Sequence, residues 1–200
     1  MGRKNRSRVP VYLNSEDANI TPEELAIILH GAGTVVHRGG RSLLVKLLKG
    51  SRDKKLLELG LDADESYGAL SHLTLDAISR KVDWTIEEGF LSYYYDWRNP
   101  LLMYTELGWE LERPQAAFSK FKKFCNDIET GEFRMAERMA NMENELQFDV
   151  IDLIAQRCDE RCFDHLEAWS KLATKRIRKK IAWAQRTISS RKSDGMSDGA

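Results

Sequence analysis

Seven basic side chains fall within residues 38–55 of this 200-residue chain, where Asp53 is the one acid. Closely spaced Lys and Arg side chains raise the local potential and displace the counterions of a polyanion, so this cluster suits phosphate. A solvated charged face is the alternative. Four leucines at helical spacing predict a helix that buries leucine and turns Lys46 and Lys49 outward. The predicted phosphate contacts are Arg38, Arg41, Lys46, Lys49, Arg52, Lys54 and Lys55.

A second group of candidate binding residues is aromatic. Residues 90–95 (FLSYYY) and 101–105 (LLMYT) are β-prone runs on either side of DWRNP, which has turn chemistry. This order predicts a β-hairpin with a five-residue loop and Trp97 near its tip. An exposed tryptophan suits stacking on a base, while a hydrophobic plug or a protein contact are the alternatives. Side chains alternate faces along a strand, so at least one of Tyr93, Tyr94 and Tyr95 belongs to the core.

No catalytic constellation is present. Cys158, Cys162 and His165 stand at i, i+4 and i+7, which on one helix would begin a metal site, but no fourth ligand is evident and buried thiols are the default. No glycine-rich GK[ST] phosphate loop occurs, which excludes ATP-driven unwinding by this chain alone. We therefore expect no enzymatic activity, no metal and no cofactor.

Helices must position these candidates. Thr21-Pro22-Glu23-Glu24 predicts a capped helix start, and residues 41–49 and 53–59 predict two short helices that end at glycines. Thr74 predicts the N-cap of a further helix that runs to Gly89. A series of helices followed by a hairpin is typical of a winged helix.

The second half of the chain has a helical pattern almost throughout, with Pro114 as the expected boundary. Residues 171–192 hold nine basic residues and no acid, and they have three alternative partners: DNA, an acidic protein surface, or the acidic segment 129–152. No window approaches a membrane span, and three sparse cysteines fit a reducing compartment. We therefore expect a cytoplasmic protein, with association with the nucleoid as an option, that does not bind a membrane.

The run GGRSLLVKLLKGSRDKKLLELGLDADESYG, followed by a helix, an aromatic strand and LLMYTELGWE, resembles the RQC domain, the winged helix C-terminal to the core of RecQ-type helicases. The stand-alone bacterial set called RQC-minor DNA-binding proteins is the most similar in pattern. The resemblance covers about residues 21–112. The cysteine cluster that commonly precedes this domain in the helicases is missing here, as is the motor.

The resemblance implies DNA binding and assigns roles to residues. It implies that Ser51, Arg52, Lys54 and Lys55 hold the phosphate backbone, and that Trp97 or Tyr95 at the hairpin engages a duplex end, with Arg98 on the adjacent phosphate. The helix in the recognition position, residues 75–88, is net acidic by two. Such a helix is a poor reader of base edges, so binding should select DNA structure rather than sequence.

The sequence thus predicts a mainly α fold: an α+β winged helix with a β-hairpin wing, followed by an α-helical domain. The predicted segments are a flexible basic arm (1–19), an RQC-like winged helix (20–113), an α-helical domain with a HEAT-like arrangement as one option (114–190) and a disordered tail (191–200). The predicted partner is forked, branched or end-bearing DNA. The alternative is a protein adaptor whose helical half, residues 115–190, recruits a helicase, a nuclease or a ribosome-associated factor.

Overall fold

The computed structural model describes residues 9–195 and the side chains of residues 9–191. The chain divides into two compact units between Glu112 and Arg113. The basic residues expected in the arm at positions 3–8, and the last five residues of the expected tail, lie outside the described part. None of the helices in the described part is long and apolar enough to cross a membrane.

The first unit contains helices followed by a two-stranded antiparallel hairpin, which confirms the predicted fold class of a mainly α chain with an α+β winged helix. A short 3₁₀ turn, Leu61–Ala63, follows its third helix. The elements are α1 (Pro22–Val35), α2 (Arg41–Lys49), α3 (Lys54–Glu58), α4 (Leu75–Glu87), β1 (Leu91–Asp96) and β2 (Asn99–Tyr104).

Local signals explain where these helices begin and end. Thr21 and Glu24 form a reciprocal capping box: the Thr21 hydroxyl accepts from the Glu24 amide at 3.2 Å, and the Glu24 carboxylate accepts from the Thr21 amide at 2.9 Å. The second helix ends at Gly50, whose φ of 75° is in the left-handed region. A Cβ at Gly50 would lie 3.0 Å from the Cα of Gly68, so the two backbone segments approach closely there.

The leucines of α2 are the centre of the first core. Leu44, Leu47 and Leu48 are fully buried, together with Ile28 of α1 and Val82 of α4. Full burial of a leucine side chain stabilises a fold by about 1.5–3 kcal/mol, so this helix anchors the unit. The predicted division of α2 into a buried leucine face and a cationic face is present, since Lys46 and Lys49 lie outside the core.

The hairpin is tighter than the sequence suggested, and the prediction of a five-residue loop was wrong. Asp96 pairs directly with Asn99, so the loop contains only Trp97 and Arg98. Pro100 belongs to the second strand, opposite Tyr95. Two-residue connections match the twist of antiparallel strands. The loop was predicted too long because Asp96, Asn99 and Pro100 are residue types common in turns, although here they belong to the strands.

Residues 9–19 pack against the helices and the hairpin of the first unit. The Val9 amide donates to the Arg98 carbonyl at 3.4 Å, and the Asn14 amide donates to the Asp83 carboxylate at 2.9 Å. Lys81 of α4 donates to the Asn19 carbonyl. This part of the expected flexible arm is therefore held at three places by the winged helix.

The second unit is helical. Its first helix, α5, begins in the first unit and passes through Pro114, so the residue expected as the boundary lies inside a helix. This helix ends at Thr130, and the last helix, α9, continues to Gly195, into the segment expected to be disordered. The helices are α5 (Glu106–Thr130), α6 (Arg134–Ala140), α7 (Asn144–Arg157), α8 (Phe163–Leu172) and α9 (Lys175–Gly195).

Trp169 is the largest buried side chain of this second unit, and its indole N–H donates to the Gln147 side chain at 3.2 Å. The expected common helical face of Cys158, Cys162 and His165 does not exist, because Cys158 ends α7 and Cys162 lies in a separate 3₁₀ turn. The His165 ring stacks on Phe133 at 4.2 Å between centroids. Within the described residues, no group of His, Cys, Asp and Glu side chains is arranged to hold a metal ion.

Candidate nucleic-acid interface

The start of α3 presents the most accessible cations of the basic stretch. Asp53 caps this helix by accepting from the Lys55 amide at 3.1 Å, and the turn before it holds Arg52 at the surface. The side chains of Arg52, Lys54 and Lys55 are exposed. Lys54 is 90% exposed and has only a loose ion pair, 3.8 Å, with Glu58. These three cations, which we call the outer cations, project into solvent where phosphate can reach them.

Three other cations of the stretch make hydrogen bonds within the unit. Lys46 donates to Asp53 at 2.6 Å, and this bond lowers the pKa of the Asp53 carboxyl. Lys49 donates to the carbonyls of Ser71 and Leu73, at 2.6 and 2.8 Å. Arg38 donates to the Leu59 carbonyl at 3.1 Å. These residues, with Arg41, are the inner cations, whose first role is to hold the loops around α2 and α3.

Arg41 forms an ion pair that the sequence did not indicate. Its guanidinium donates to the Asp83 carboxylate at 2.8 Å and to the Tyr12 carbonyl at 3.0 Å. Asp83 is only 2% exposed. Burial raises the pKa of the Asp83 carboxyl, although the Asn14 amide and Arg41 both oppose that shift. The pair joins α2, α4 and the segment before α1 at one point.

The hairpin tip places an aromatic ring in solvent. Trp97 is 76% exposed and has a φ of 56°, a left-handed conformation that bulky residues rarely adopt. Arg98 beside it is exposed, and its carbonyl accepts from the arm. Tyr95 is half-buried, and its hydroxyl donates to the Val9 carbonyl at 3.3 Å. Trp97 is therefore the aromatic side chain at this tip that is most open to a ligand.

A cavity of about 420 Å³ joins the basic stretch to the hairpin. Lys55 borders it from α3 and Pro100 borders it from β2, so one of the three outer cations shares this surface with the wing. Tyr93 also borders it; burial raises its pKa to about 12, and its hydroxyl has no hydrogen-bond partner among the described residues. The full lining is Pro10, Val11, Tyr12, Gly40, Arg41, Ser42, Leu43, Lys46, Asp53, Lys55, Tyr93 and Pro100.

The helix in the recognition position, α4, has little capacity to read bases. Its two cations are engaged in ion pairs, Lys81 with Glu24 at 2.8 Å and Arg80 with Asp76 at 2.9 Å. Glu87 and Glu88 remain exposed at its end. Carboxylates repel phosphates, so Glu87 and Glu88 keep the surface of the folded helix acidic, as the residue count indicated, even though Asp83 is buried beside Arg41.

The family model described as "RQC domain" matches residues 21–123, slightly more than half of the chain. The chain belongs to the RQC family. The RQC domain is a nucleic-acid-binding winged helix of RecQ helicases, so the general function of this chain is DNA binding. The comparisons with curated proteins and with solved structures returned no match.

The structure brings together part of the predicted site. Lys55, Lys46 and Arg41 border one cavity with the hairpin, while Ser51 is half-buried and its carbonyl accepts from the Tyr67 hydroxyl at 3.3 Å. Arg38 and Lys49 bond carbonyls of neighbouring loops. The sequence does not reveal Pro10, Val11 and Tyr12 as cavity residues, because nothing in an arm rich in polar residues indicates where it packs. The assignment of individual residues to DNA remains a prediction.

Proposed function

We propose that this RQC protein is a non-enzymatic cytoplasmic DNA-binding protein that selects duplex ends, forks and branches without base preference. The observation that carries the proposal is the exposed Trp97 at the tip of a two-residue loop, on a hairpin whose Tyr93 and Pro100 border a cavity with Lys55. A cation beside the wing would hold the phosphate backbone while the ring at the tip stacks on a terminal base pair. Stacking of this kind contributes about 1–3 kcal/mol.

The acidic surface of α4 supports the same function. A winged helix that reads sequence inserts Arg, Asn or Gln side chains into the major groove, and this helix offers carboxylates instead. The remaining contacts are with phosphates, whose affinity depends on salt and not on sequence. Shape and open ends are then the features by which such a protein distinguishes one DNA from another.

The test compares three DNAs of equal length: a forked duplex, a blunt duplex and a duplex closed at both ends by hairpin loops. Fluorescence anisotropy with the full chain should give the highest affinity for the fork and the lowest for the closed duplex. Trp97→Asn should weaken binding to fork and blunt duplex by about 5- to 150-fold, the equivalent of the stacking energy, and leave the closed duplex unchanged.

Trp97→Phe is the matched control, because it keeps an aromatic ring at the same position and should retain end preference. Asn tolerates the left-handed conformation, so Trp97→Asn should not destabilise the hairpin. An equal loss on all three DNAs would refute the role of the wing tip. Absence of binding to every DNA at low salt would refute the proposal and favour the adaptor function.

A further inference from the structure

Helix α9 of the second unit has one buried line and one cationic line. Ile177, Ile181, Ala184 and Ile188 are at most 3% exposed and follow one another at helical spacing. Four cations occupy the opposite side; at 3.6 residues per turn they fall within an arc of about 100°. They are Lys175, Arg178, Lys179 and Arg186, all exposed, and we call them the α9 stripe.

Three other cations of this helix, among the side chains that the structure describes, already have partners on α7 or just beyond it. Lys180 pairs with Asp152 at 2.5 Å, and the Arg176 guanidinium lies 4.8 Å from the centroid of the Phe148 ring. Arg191 donates to the Cys158 carbonyl at 2.7 Å. These contacts account for one flank of the helix, with Lys180 paired to an acid of segment 129–152, and they leave the stripe outside it.

The stripe has no internal anion. Among the described residues, no ion pair or side-chain hydrogen bond involves Lys175, Arg178 or Lys179. Arg186 donates only to the Ala182 carbonyl one turn earlier in its own helix. Surface cations are normally interspersed with acids, whereas α9 carries no Asp or Glu from residue 175 to residue 193.

Charge is also distributed unequally between the units. Residues 113–200 hold seventeen Lys and Arg against fourteen Asp and Glu, whereas residues 1–112 hold fourteen against seventeen. The winged-helix unit is thus net negative, although it carries the family match. A polyanion is attracted more strongly by the second unit as a whole.

We propose that the α9 stripe is a second nucleic-acid contact, which binds the phosphate backbone without regard to sequence or ends. This inference goes beyond the proposed function, since it assigns DNA binding to a unit that lacks the wing. The stripe is about 16 Å long, which equals the axial rise of about five base pairs of duplex DNA, so its cations can reach several phosphates. A membrane surface fits less well, because the apolar side of α9 is buried and cannot enter lipid.

The test uses the full chain and the closed duplex, which has no end for Trp97 to engage. The variant Lys175→Ala/Arg178→Ala/Lys179→Ala should reduce the slope of log affinity against log salt by about 2.7, or 0.9 for each lost phosphate contact. The control Lys123→Ala/Arg134→Ala/Arg138→Ala removes three exposed cations of the same unit and should reduce the slope by less than 1. Circular dichroism melts check that both variants fold like the wild type.

The result separates this inference from the proposed function. A reduced slope for the stripe variant establishes the second contact even if the wild type shows no preference for ends. An unchanged slope, or an equal reduction in the control variant, overturns it. If the stripe variant instead loses binding to an acidic peptide such as polyglutamate while its affinity for DNA is retained, the stripe is a protein contact and the inference fails.

Discussion

The division of the basic stretch into outer and inner cations can be tested by removing each set separately. Arg52, Lys54 and Lys55 are exposed and contribute little to packing, so their replacement by alanine should change the free energy of unfolding by no more than about 0.5 kcal/mol. If each outer cation neutralises one phosphate, the triple variant loses about 2.7 from the slope of log affinity against log salt. Between about 50 and 200 mM salt, a fourfold change in concentration, the affinity of the wild type should therefore fall about 40-fold more than that of the triple variant.

The inner cation Arg41 should behave in the opposite way. Arg41→Ala leaves the Asp83 carboxylate buried without its cation, and loss of one partner from a buried pair costs about 3 kcal/mol or more. Adding Asp83→Asn removes the uncompensated charge and should restore much of that stability. Anisotropy titrations at four salt concentrations and urea denaturation of each variant provide both quantities. An unchanged salt slope in the outer triple variant, or a larger loss of slope from Arg41→Ala/Asp83→Asn, would refute the division.

Two further predictions concern stability. His30 bonds Glu112 at 2.7 Å, and this bond raises the pKa of His30. Its contribution to the free energy of unfolding is therefore fully present below about pH 6.5 and is lost as pH rises through the raised pKa. Urea denaturation from about pH 5.5 to 8.5 should show this decline, and His30→Gln should abolish it. Gly108→Ala would place a Cβ 1.9 Å from the Phe90 carbonyl oxygen and should cost more than about 2 kcal/mol by the same assay. At Gly60 an added Cβ has no neighbour within 4 Å, so Gly60→Ala should cost only the roughly 1–2 kcal/mol of an alanine in the left-handed conformation. Equal losses of stability in Gly108→Ala and Gly60→Ala would contradict the packing argument.

Local chemistry made much of the fold predictable. The Thr21 capping box, the glycine stop at Gly50 and the Thr74 cap each depend on residues within one turn, and all three are present in the structure. The leucine face of α2 was equally readable, because helical spacing alone specifies which side chains share a side. The confirmed membership of the RQC family then followed from the same stretch together with the hairpin.

The features that the sequence did not reveal depend on distant contacts. Arg41 and Asp83 are 42 positions apart, and no local pattern indicates that one neutralises the other. A count of charge in residues 38–55 therefore overstated how much of it is available to phosphate. The loop length failed for a different reason: Asn99 and Pro100 are common in turns, yet cross-strand pairing kept both in β2.

The carboxylates on α4 have a consequence for how such a protein is distributed in a cell. Under the proposed function, a protein with no base-edge reader meets every open end of a chromosome as an equivalent target, and about 10⁶ or more stretches of intact duplex compete with each end. One stacked ring supplies a preference of about 5- to 150-fold, far below that excess. Stacking at the wing tip is therefore too weak to find rare ends by affinity alone, and occupancy of ends would require a high copy number or delivery by a protein that already resides there.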